Sequence, residues 1–294
     1  MPEKPTADVS VIAANYNNAA YLDAFLDSVV QSEHWPKELI LIDDGSTDRS
    51  REVINARAGL PFLKAFLFEH NRGFTYALNA ALDLASSKYV MRADPDDLFT
   101  PDRIGKQTRY LENNPGVDIL GSNCMYFSDG NNKNINRSNF PLTHREIETT
   151  YRKGEHGVLH ATVCGRMDVF QKYRYQQISP GEDYELFARM VRDGHRFANL
   201  KEPLYLVRVH RNSSTSRIQK EAIRRTFYFR DEIFGTKTKQ IKVWAYYHYI
   251  SHYRKSQLSS NFAAKLAHMI IASLMYPKKM MKRLALHSTP KRKP

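Results

Sequence analysis

The amino-acid sequence predicts an α/β fold, a doubly wound and mostly parallel sheet followed by a helical C-terminal extension. Three observations lead there. Apolar runs of strand length alternate with stretches of helical spacing between residues 9 and 126, the pattern of parallel strands joined by crossover helices. The polar clusters NYNN, DDGSTD, NRG and DPDD each fall where a strand run ends, and doubly wound sheets bind ligands beyond those ends. Beyond Arg217 the alternation stops and the chain reads as helical and aromatic.

The elements follow in order. VSVIAA is a buried-strand run, and the stretch after Asn18 has helical spacing through Tyr21, Leu22, Phe25, Val29 and Val30. Residues 39–42 form the second strand, ending in DDGSTD, a turn cluster that also caps the next helix. Residues 62–68 are the third strand, followed by NRG and a helix through Ala77, Leu78, Ala81, Leu82 and Ala85. Residues 88–93 are the fourth, ending in DPDD; TPDRI then starts a helix, with Thr100 as N-cap and Pro101 at the first helical position. Residues 117–127 are a fifth strand and 131–139 an Asn-rich loop. GEDYELFARMVRDG is a helix with acids in its first turn and Gly194 closing it, and PLYLVRVH is a strand.

Composition narrows the function classes. With 294 residues, 42% hydrophobic and 26% charged, the chain can bury one large core plus an accessory segment. Its two cysteines, Cys124 and Cys164, form no CxxC pair, so a disulfide framework or zinc site is not expected and a reducing cytoplasm is. The apolar stretch at residues 9–14 is too short and too late for a signal peptide, and no run reaches membrane-spanning length. The net charge of +13 is uneven. Residues 217–294 hold 18 Lys and Arg against 3 Asp and Glu, leaving 26 basic and 28 acidic residues elsewhere. A near-neutral body at 1–216 thus carries a basic extension at 217–294.

Three clusters bear chemistry, each with a plainer alternative. In DPDD, the carboxylates of Asp94, Asp96 and Asp97 repel one another unless a cation sits among them, and Mg2+ or Mn2+ would bind there together with substrate phosphates. The alternative is a solvated acidic turn. In DDGSTD, Asp44 is placed to accept hydrogen bonds from a base or ribose, while the cluster also reads as a strand-to-helix turn capped by Ser46 or Asp48. In GEDYEL, Glu182 and Asp183 occupy a first helical turn, where the dipole holds carboxylates ionised, as suits a general base and equally suits ordinary capping.

Taken together and in this order, the segments SVIAANYNN, LILIDDGSTD, NRGFTYALNAAL, RADPDDLFTPDRI, HGVLHATVCGRMDVF, PGEDYELFARM and LVRVHRNSST resemble the inverting glycosyltransferases of family 2, in particular the bacterial type that builds polysaccharide and lipooligosaccharide. The resemblance covers roughly residues 8–216 and implies the GT-A fold, a Rossmann-like sheet with a nucleotide-sugar half at 8–127 and an acceptor half at 128–216. It implies that Ala13, Asn15 and Tyr16 line the nucleotide pocket and that Asp44 contacts the base, usually uracil in this family. Arg72 and Asn79 lie beside the nucleotide or its diphosphate, and Asp94 and Asp96 form the Asp-x-Asp pair. Asp96 or Asp97 ligates Mn2+ or Mg2+ directly, His210 approaches the metal or diphosphate, Asp183 is the base, and Glu182 orients it or holds the acceptor. Pro95 departs from the small residue common between the aspartates, which leaves the ligand open among the three. The implied reaction moves a sugar from a UDP-sugar to a hydroxyl of a glycan or lipid-linked glycan, with inversion.

In the extension, Phe262, Leu266, Met269, Ile270 and Leu274 form one helical stripe, followed by Lys278, Lys279, Lys282 and Arg283 interleaved with Met280, Met281 and Leu284. An apolar stripe beside basic residues suits an anionic bilayer surface, so a peripheral position on the inner face of the cytoplasmic membrane is expected. The plainer alternative packs the stripe on the body. A rival reading takes the basic tail and Tyr246, Tyr247, Tyr249 and Tyr253 as a nucleic-acid surface. No zinc-finger or RNA-recognition signature supports it, so no nucleic-acid partner is expected. A nucleotidyltransferase would carry a Gly-rich phosphate loop where AANYNN stands, and GxGxxG is missing for a dinucleotide enzyme. A metal-free relative that only binds glycans is the remaining non-catalytic alternative.

Overall fold

The computed structural model describes residues 4–130, 134–210, 220–259, 261–277 and 279–281, and the chain divides into two compact units, Met1–Ser216 and Arg217–Pro294. The first unit runs β1 (Thr6–Asn15), α1 (Ala19–Val30), β2 (Trp35–Asp43), α2 (Ser50–Ala56), β3 (Leu63–Leu67), α3 (Phe74–Leu84), β4 (Tyr89–Ala93), β5 (Leu98–Phe99) and α4 (Arg103–Asn113). It continues through β6 (Ile119–Ser128), β7 (Asn134–Arg137), α5 (His144–Arg152), a 3₁₀ turn at His160–Thr162, β8 (Cys164–Arg166), α6 (Met167–Lys172), α7 (Glu182–Arg192) and β9 (Phe197–Val209).

Residues 9–14 of β1 are buried on both faces, as a central parallel strand between two helical layers requires. The sheet order is β3-β2-β1-β4-β8-β6-β9-β5, with β7 paired to β6. The four strands from β3 to β4 are mutually parallel. The chain builds β1, β2 and β3 outward in one direction and then returns to place β4 on the other side of β1. That reversal opens a crevice beyond the carboxyl ends of β1 and β4. From β4 onward the sheet is mixed: β8 runs antiparallel to β4 and β6, while β6 and β9 are parallel. One apolar cluster joins both halves, from Val9, Val11 and Leu41 to Cys124, Cys164 and Tyr205.

Two local expectations are corrected. The helix after DPDD begins at Arg103 with Asp102 at the N-cap position, not at Thr100. Thr100 is instead tied to β9, donating its N–H and its hydroxyl to the carbonyl of Leu204, so its backbone extends the β5–β9 ladder. The Asn-rich segment is not all loop, because residues 134–137 pair antiparallel with the edge of β6. Free backbone groups on that edge, rather than apolar pattern, recruit this strand. Residues 131–133 lie outside the described part.

The second unit holds α8 (Lys220–Phe234), α9 (Gln240–Leu258) and α10 (Phe262–Met275). Its core gathers Tyr249, Ala272 and Met280, with Tyr246, Ile250, Tyr253, Met269, Met275 and Tyr276 around them. Tyr246, Tyr249 and Tyr253 are therefore packing residues, which takes three of the four tyrosines out of the stacking platform. Met269 turns inward too and leaves the expected stripe, because that side of α10 lies on α9. The remaining stripe residues Phe262, Leu266, Ile270 and Leu274 are 78%, 49%, 52% and 72% exposed. Lys278, Lys282, Arg283 and Leu284 lie outside the described residues. Among the described residues no helix is long and apolar enough to cross a membrane.

Arg103 shows how tightly the first unit is fixed. Its fully buried guanidinium lies 4.1 Å from the centroid of Phe99 and 4.4 Å from that of Tyr205, and donates to the carbonyls of Arg92 and Ala161 and to Gln107. Burial lowers its pKa to about 10, so it stays charged at neutral pH. Arg103→Ala leaves a cavity and loses the donors to these buried carbonyls, a loss of about 3 kcal/mol. The melting point should fall by about 6–12 °C, whereas a shift within about 2 °C would show that Arg103 is dispensable.

Candidate functional site

At the end of β1, Asn15 is buried and donates to Asp43 Oδ1 at 2.7 Å. Asp43 also receives the N–H and hydroxyl of Ser46. Asp43 is thus an internal brace of the DDGSTD turn. Asp48 serves the helices, accepting from the N–H of Ser50 at the start of α2 and from that of Ala19 at the start of α1. Ala13 lies in the apolar core between β2 and β4, and Tyr16 stands half-exposed beyond the strand end.

Asp44 bridges two turns: its carboxylate accepts the backbone N–H groups of Arg72 at 2.8 Å and Gly73 at 2.9 Å, where α3 begins. Gly45 permits this closeness. Its φ is +73°, and a Cβ there would meet the backbone of His70 and Asn71 at 2.5 Å. Arg72 lies over the rings of Phe68 and Tyr76 and donates to the Tyr76 hydroxyl. Asn79 uses its amide as a two-way clamp on the backbone of Tyr175, donating to its carbonyl at 2.8 Å and accepting its N–H at 3.1 Å.

The acidic loop after β4 is held from beneath and from one side. Arg92, buried under the loop, donates to the carboxylate of Asp94 and to the carbonyl of Ala93. The Asp94 N–H donates to the Tyr205 hydroxyl at 2.9 Å. From β9, the Arg208 N–H donates to Asp97 Oδ1 at 2.7 Å and its Nε to the Asp96 carbonyl at 2.8 Å. Arg208 also pairs with Asp129, which accepts from Tyr21. The three carboxylates therefore differ. Asp97 is buried against β9, Asp94 rests on Arg92, and Asp96 meets His210 Nε2 at 3.1 Å. Burial, then the charges of Asp96 and Asp94, raises the pKa of Asp97 well above the carboxylate range; burial and Asp94 raise that of Asp96.

At the start of α7, Gly181 adopts a left-handed φ of 104° and Glu182 and Asp183 follow. Burial, then the adjacent Asp183 charge, pushes Glu182 up to about 7. Its Oε2 has no hydrogen-bond partner among the described residues. Asp183 accepts the N–H of Tyr184 at 2.7 Å and faces His156 Nε2 at 3.3 Å. Arg92 acts electrostatically on both Asp94 and Glu182, and Tyr175 lies in the field of Asp94, Glu182 and Asp183. The β4 loop and the start of α7 thus border one charged basin. Arg92, Tyr205, Arg208, Tyr175 and His156 had no role in the sequence reading. The available signals were arginines inside the apolar runs of β4 and β9.

A family model described as glycosyl transferase family 2 matches residues 10–174. The amylovoran biosynthesis glycosyltransferase AmsE of Erwinia amylovora is 32% identical over 203 residues, covering 68% of this chain and 75% of that protein. An uncharacterised glycosyltransferase of Methanocaldococcus jannaschii is 29% identical over 224 residues, covering 73% of this chain and 76% of its own. Among solved structures, S. aureus TarS 1–349 in complex with UDP-GlcNAc superposes with a TM-score of 0.61 at 18% identity, over 92% of this chain and 82% of that one. The mannosyltransferase PcManGT of Pyrobaculum calidifontis, in complex with GDP-Man and Mn2+, gives 0.58 at 17% identity, over 98% and 80%.

The Glu182 carboxyl provides a test of the basin's electrostatics. A folded-state pKa near 7, above its ordinary 4.5, means that folding is penalised once Glu182 ionises. Stability is then lost as pH rises between those values and stays level above them. Glu182→Gln remains neutral, so it should match the parent near pH 4 and exceed it at pH 8 by at most about 3 kcal/mol. Melting curves at both pH values check this, and equal stability at pH 8 would contradict it.

Proposed function

The chain belongs to glycosyl transferase family 2 and is a glycosyltransferase, and from that premise we propose that it moves a sugar from a nucleoside-diphosphate sugar to a hydroxyl of a glycan or lipid-linked glycan, inverting the anomeric centre. The observation that carries this reading is the charged basin itself. Carboxylates gather in the loop after β4, next to the switch point of the sheet, and Tyr175 lies in the field of both Asp94 and Asp183, which stands in the first turn of α7. The complexes of TarS with UDP-GlcNAc and of PcManGT with GDP-Man support a nucleotide-sugar donor. A UDP-sugar is our choice, with Asn15, Tyr16, Asp44 and Arg72 around the nucleotide. The polysaccharide role in the name of AmsE supports a glycan acceptor.

Among the described residues no three His, Cys, Asp or Glu side chains converge on a metal position, but the donor set fits a divalent ion shared with phosphates. Mg2+ or Mn2+ typically takes one or two carboxylates and completes its shell from substrate oxygens and water. Asp96 and His210 would hold it, with Asp94 beside them, while Asp97 anchors the loop to β9. When bound, such an ion would supply positive charge to offset that on the departing diphosphate. Asp183 removes the proton of the acceptor hydroxyl as the new C–O bond forms and the bond to the diphosphate breaks, a contribution of about 10²–10⁴-fold. A single displacement without a covalent intermediate inverts configuration.

Purified protein with Mn2+ and a panel of nucleotide sugars should release nucleoside diphosphate from one donor. EDTA and Asp96→Ala should abolish release, and Asp183→Asn should lower kcat by about 10²–10⁴-fold. No turnover across the panel, together with no metal-dependent UDP binding by calorimetry, would overturn the assignment. NMR of the product showing retention would sink the inverting mechanism.

We also propose that the second unit associates with an anionic membrane surface, where a lipid-linked acceptor would be presented. Two observations support it: the exposed row of Phe262, Leu266, Ile270 and Leu274 on α10, and the lack of any acidic residue after Glu232. Apolar insertion and charge attraction act together at such surfaces, each Lys or Arg adding about 1 kcal/mol. Deleting residues 262–294 should cut partitioning into anionic liposomes by about tenfold or more, and unchanged partitioning would remove the idea.

A further inference from the structure

We infer that His156 is a positioning residue for Asp183; the inference rests on the reading of Asp183 as the base. His156 Nε2 lies 3.4 Å from Asp183 Oδ1 and 3.3 Å from Oδ2, so the imidazole straddles both oxygens of one carboxylate. Asp183 has one firm donor from its own helix, the N–H of Tyr184 on Oδ1 at 2.7 Å. The terminal torsion of an aspartate is broad and roughly two-fold, so this single bond leaves Oδ2 poorly directed. A general base must place a lone pair within hydrogen-bond reach of the proton it takes. A second donor set against both oxygens opposes the rotation that would carry the lone pair away. The contact is long for a hydrogen bond, as is common before substrate closes a catalytic site.

The imidazole is itself fixed. Its ring meets the Tyr184 ring edge-on, with centroids 5.5 Å apart. Farther along the same segment, His160 Nε2 lies 2.6 Å from the Tyr175 hydroxyl, and the Tyr175 backbone is clamped by Asn79 of α3. Residue 160, four positions on, is therefore tied to α3 through Tyr175. The ionisable groups around the pair are Glu182, Tyr151 and Tyr175 on the Asp183 side and His160 on the His156 side. With side-chain exposures of 39% and 24%, His156 and Asp183 both remain open to an incoming acceptor. The imidazole N–H holds the carboxylate in one rotamer, and the reacting proton goes from the acceptor hydroxyl to Asp183.

Three substitutions separate this role from packing. His156→Phe keeps a ring against Tyr184 and removes the donor, His156→Ala removes both, and His156→Gln keeps an N–H donor. Steady-state kinetics of the full chain should show kcat reduced about 10–100-fold in the Phe and Ala variants, with KM for the nucleotide sugar unchanged. The Gln variant should recover most of the loss. In an Asp183→Asn background His156→Phe should cost nothing more, because the carboxylate it orients is gone. Parental kcat in His156→Phe would overturn the inference, as would equal losses in all three variants or a further loss in the Asp183→Asn background. If Asp183→Asn alone keeps parental turnover, the base assignment fails first; if it is inactive while His156→Phe is unaffected, only the role of His156 fails.

Discussion

Arg92 is fully buried at the end of β4, and its guanidinium meets the carbonyl of Ala93, the carboxylate of Asp94 and the face of Phe74. A desolvated cation of this kind needs an anion within reach, so the loop that follows β4 cannot leave the strand end. Asp94 is drawn down onto Arg92, and the next two carboxylates must find places elsewhere. Arg208 of β9 provides them by taking Asp97 on its backbone N–H and the carbonyl of Asp96 on its side chain. The short β5 pairs with β9 just beyond the loop. The register of the mixed half of the sheet is in this way bound to the position of three acidic side chains. Burial first, and then the neighbouring carboxylate charges, raises the pKa values of Asp96 and Asp97, so their ionisation is a property of the frame.

A second set of polar ties fixes the other wall. Asn79, reaching from α3 to the backbone of Tyr175, joins the parallel strands to the segment that leads into α7. Arg174 adds bonds to the carbonyl of Asn79 and to Asp83. The start of α7 consequently keeps a set place relative to β4, although the two are far apart in sequence. Glu182 and Asp183 are adjacent carboxylates in unlike surroundings: one is half-buried and pushed up to about 7, the other is met by two donors. Environments that separate neighbouring acids in this way are how a site assigns different tasks to identical chemical groups.

The second unit solves a separate problem. Its helices are rich in tyrosine and lysine, and some of the tyrosines build the core: Tyr249 is fully buried, and Tyr246 and Tyr276 lie against it. Lys279 sits over the rings of Tyr246 and Tyr249, so its charge is held at an aromatic face. α10 has an inner side given to this cluster and an outer row of large apolar side chains. Water solvates such a row poorly, and the surrounding charge is positive, which is the combination that anionic interfaces attract.

The amino-acid sequence determined the alternating α/β order, the strand ends at which polar clusters gather, the acidic first turn of α7 and the basic character of the extension. All of these are local: apolar periodicity, turn chemistry and charge runs are properties of neighbouring residues. Tertiary structure alone decided which partner each carboxylate meets. Asp94, Asp96 and Asp97 are nearly equivalent along the chain, and only Arg92 below, Arg208 beside and His210 opposite make them different. Asn79 sits in a recognisable motif, yet its partner stands 96 residues away. The start of α4 was misplaced because Thr100 answers to Leu204 rather than to its own helix. His156 met Asp183 only when two distant segments were brought together. Hydrogen bonds between remote segments leave no periodic trace in sequence, and in this molecule they are what turns a legible fold into a specific site.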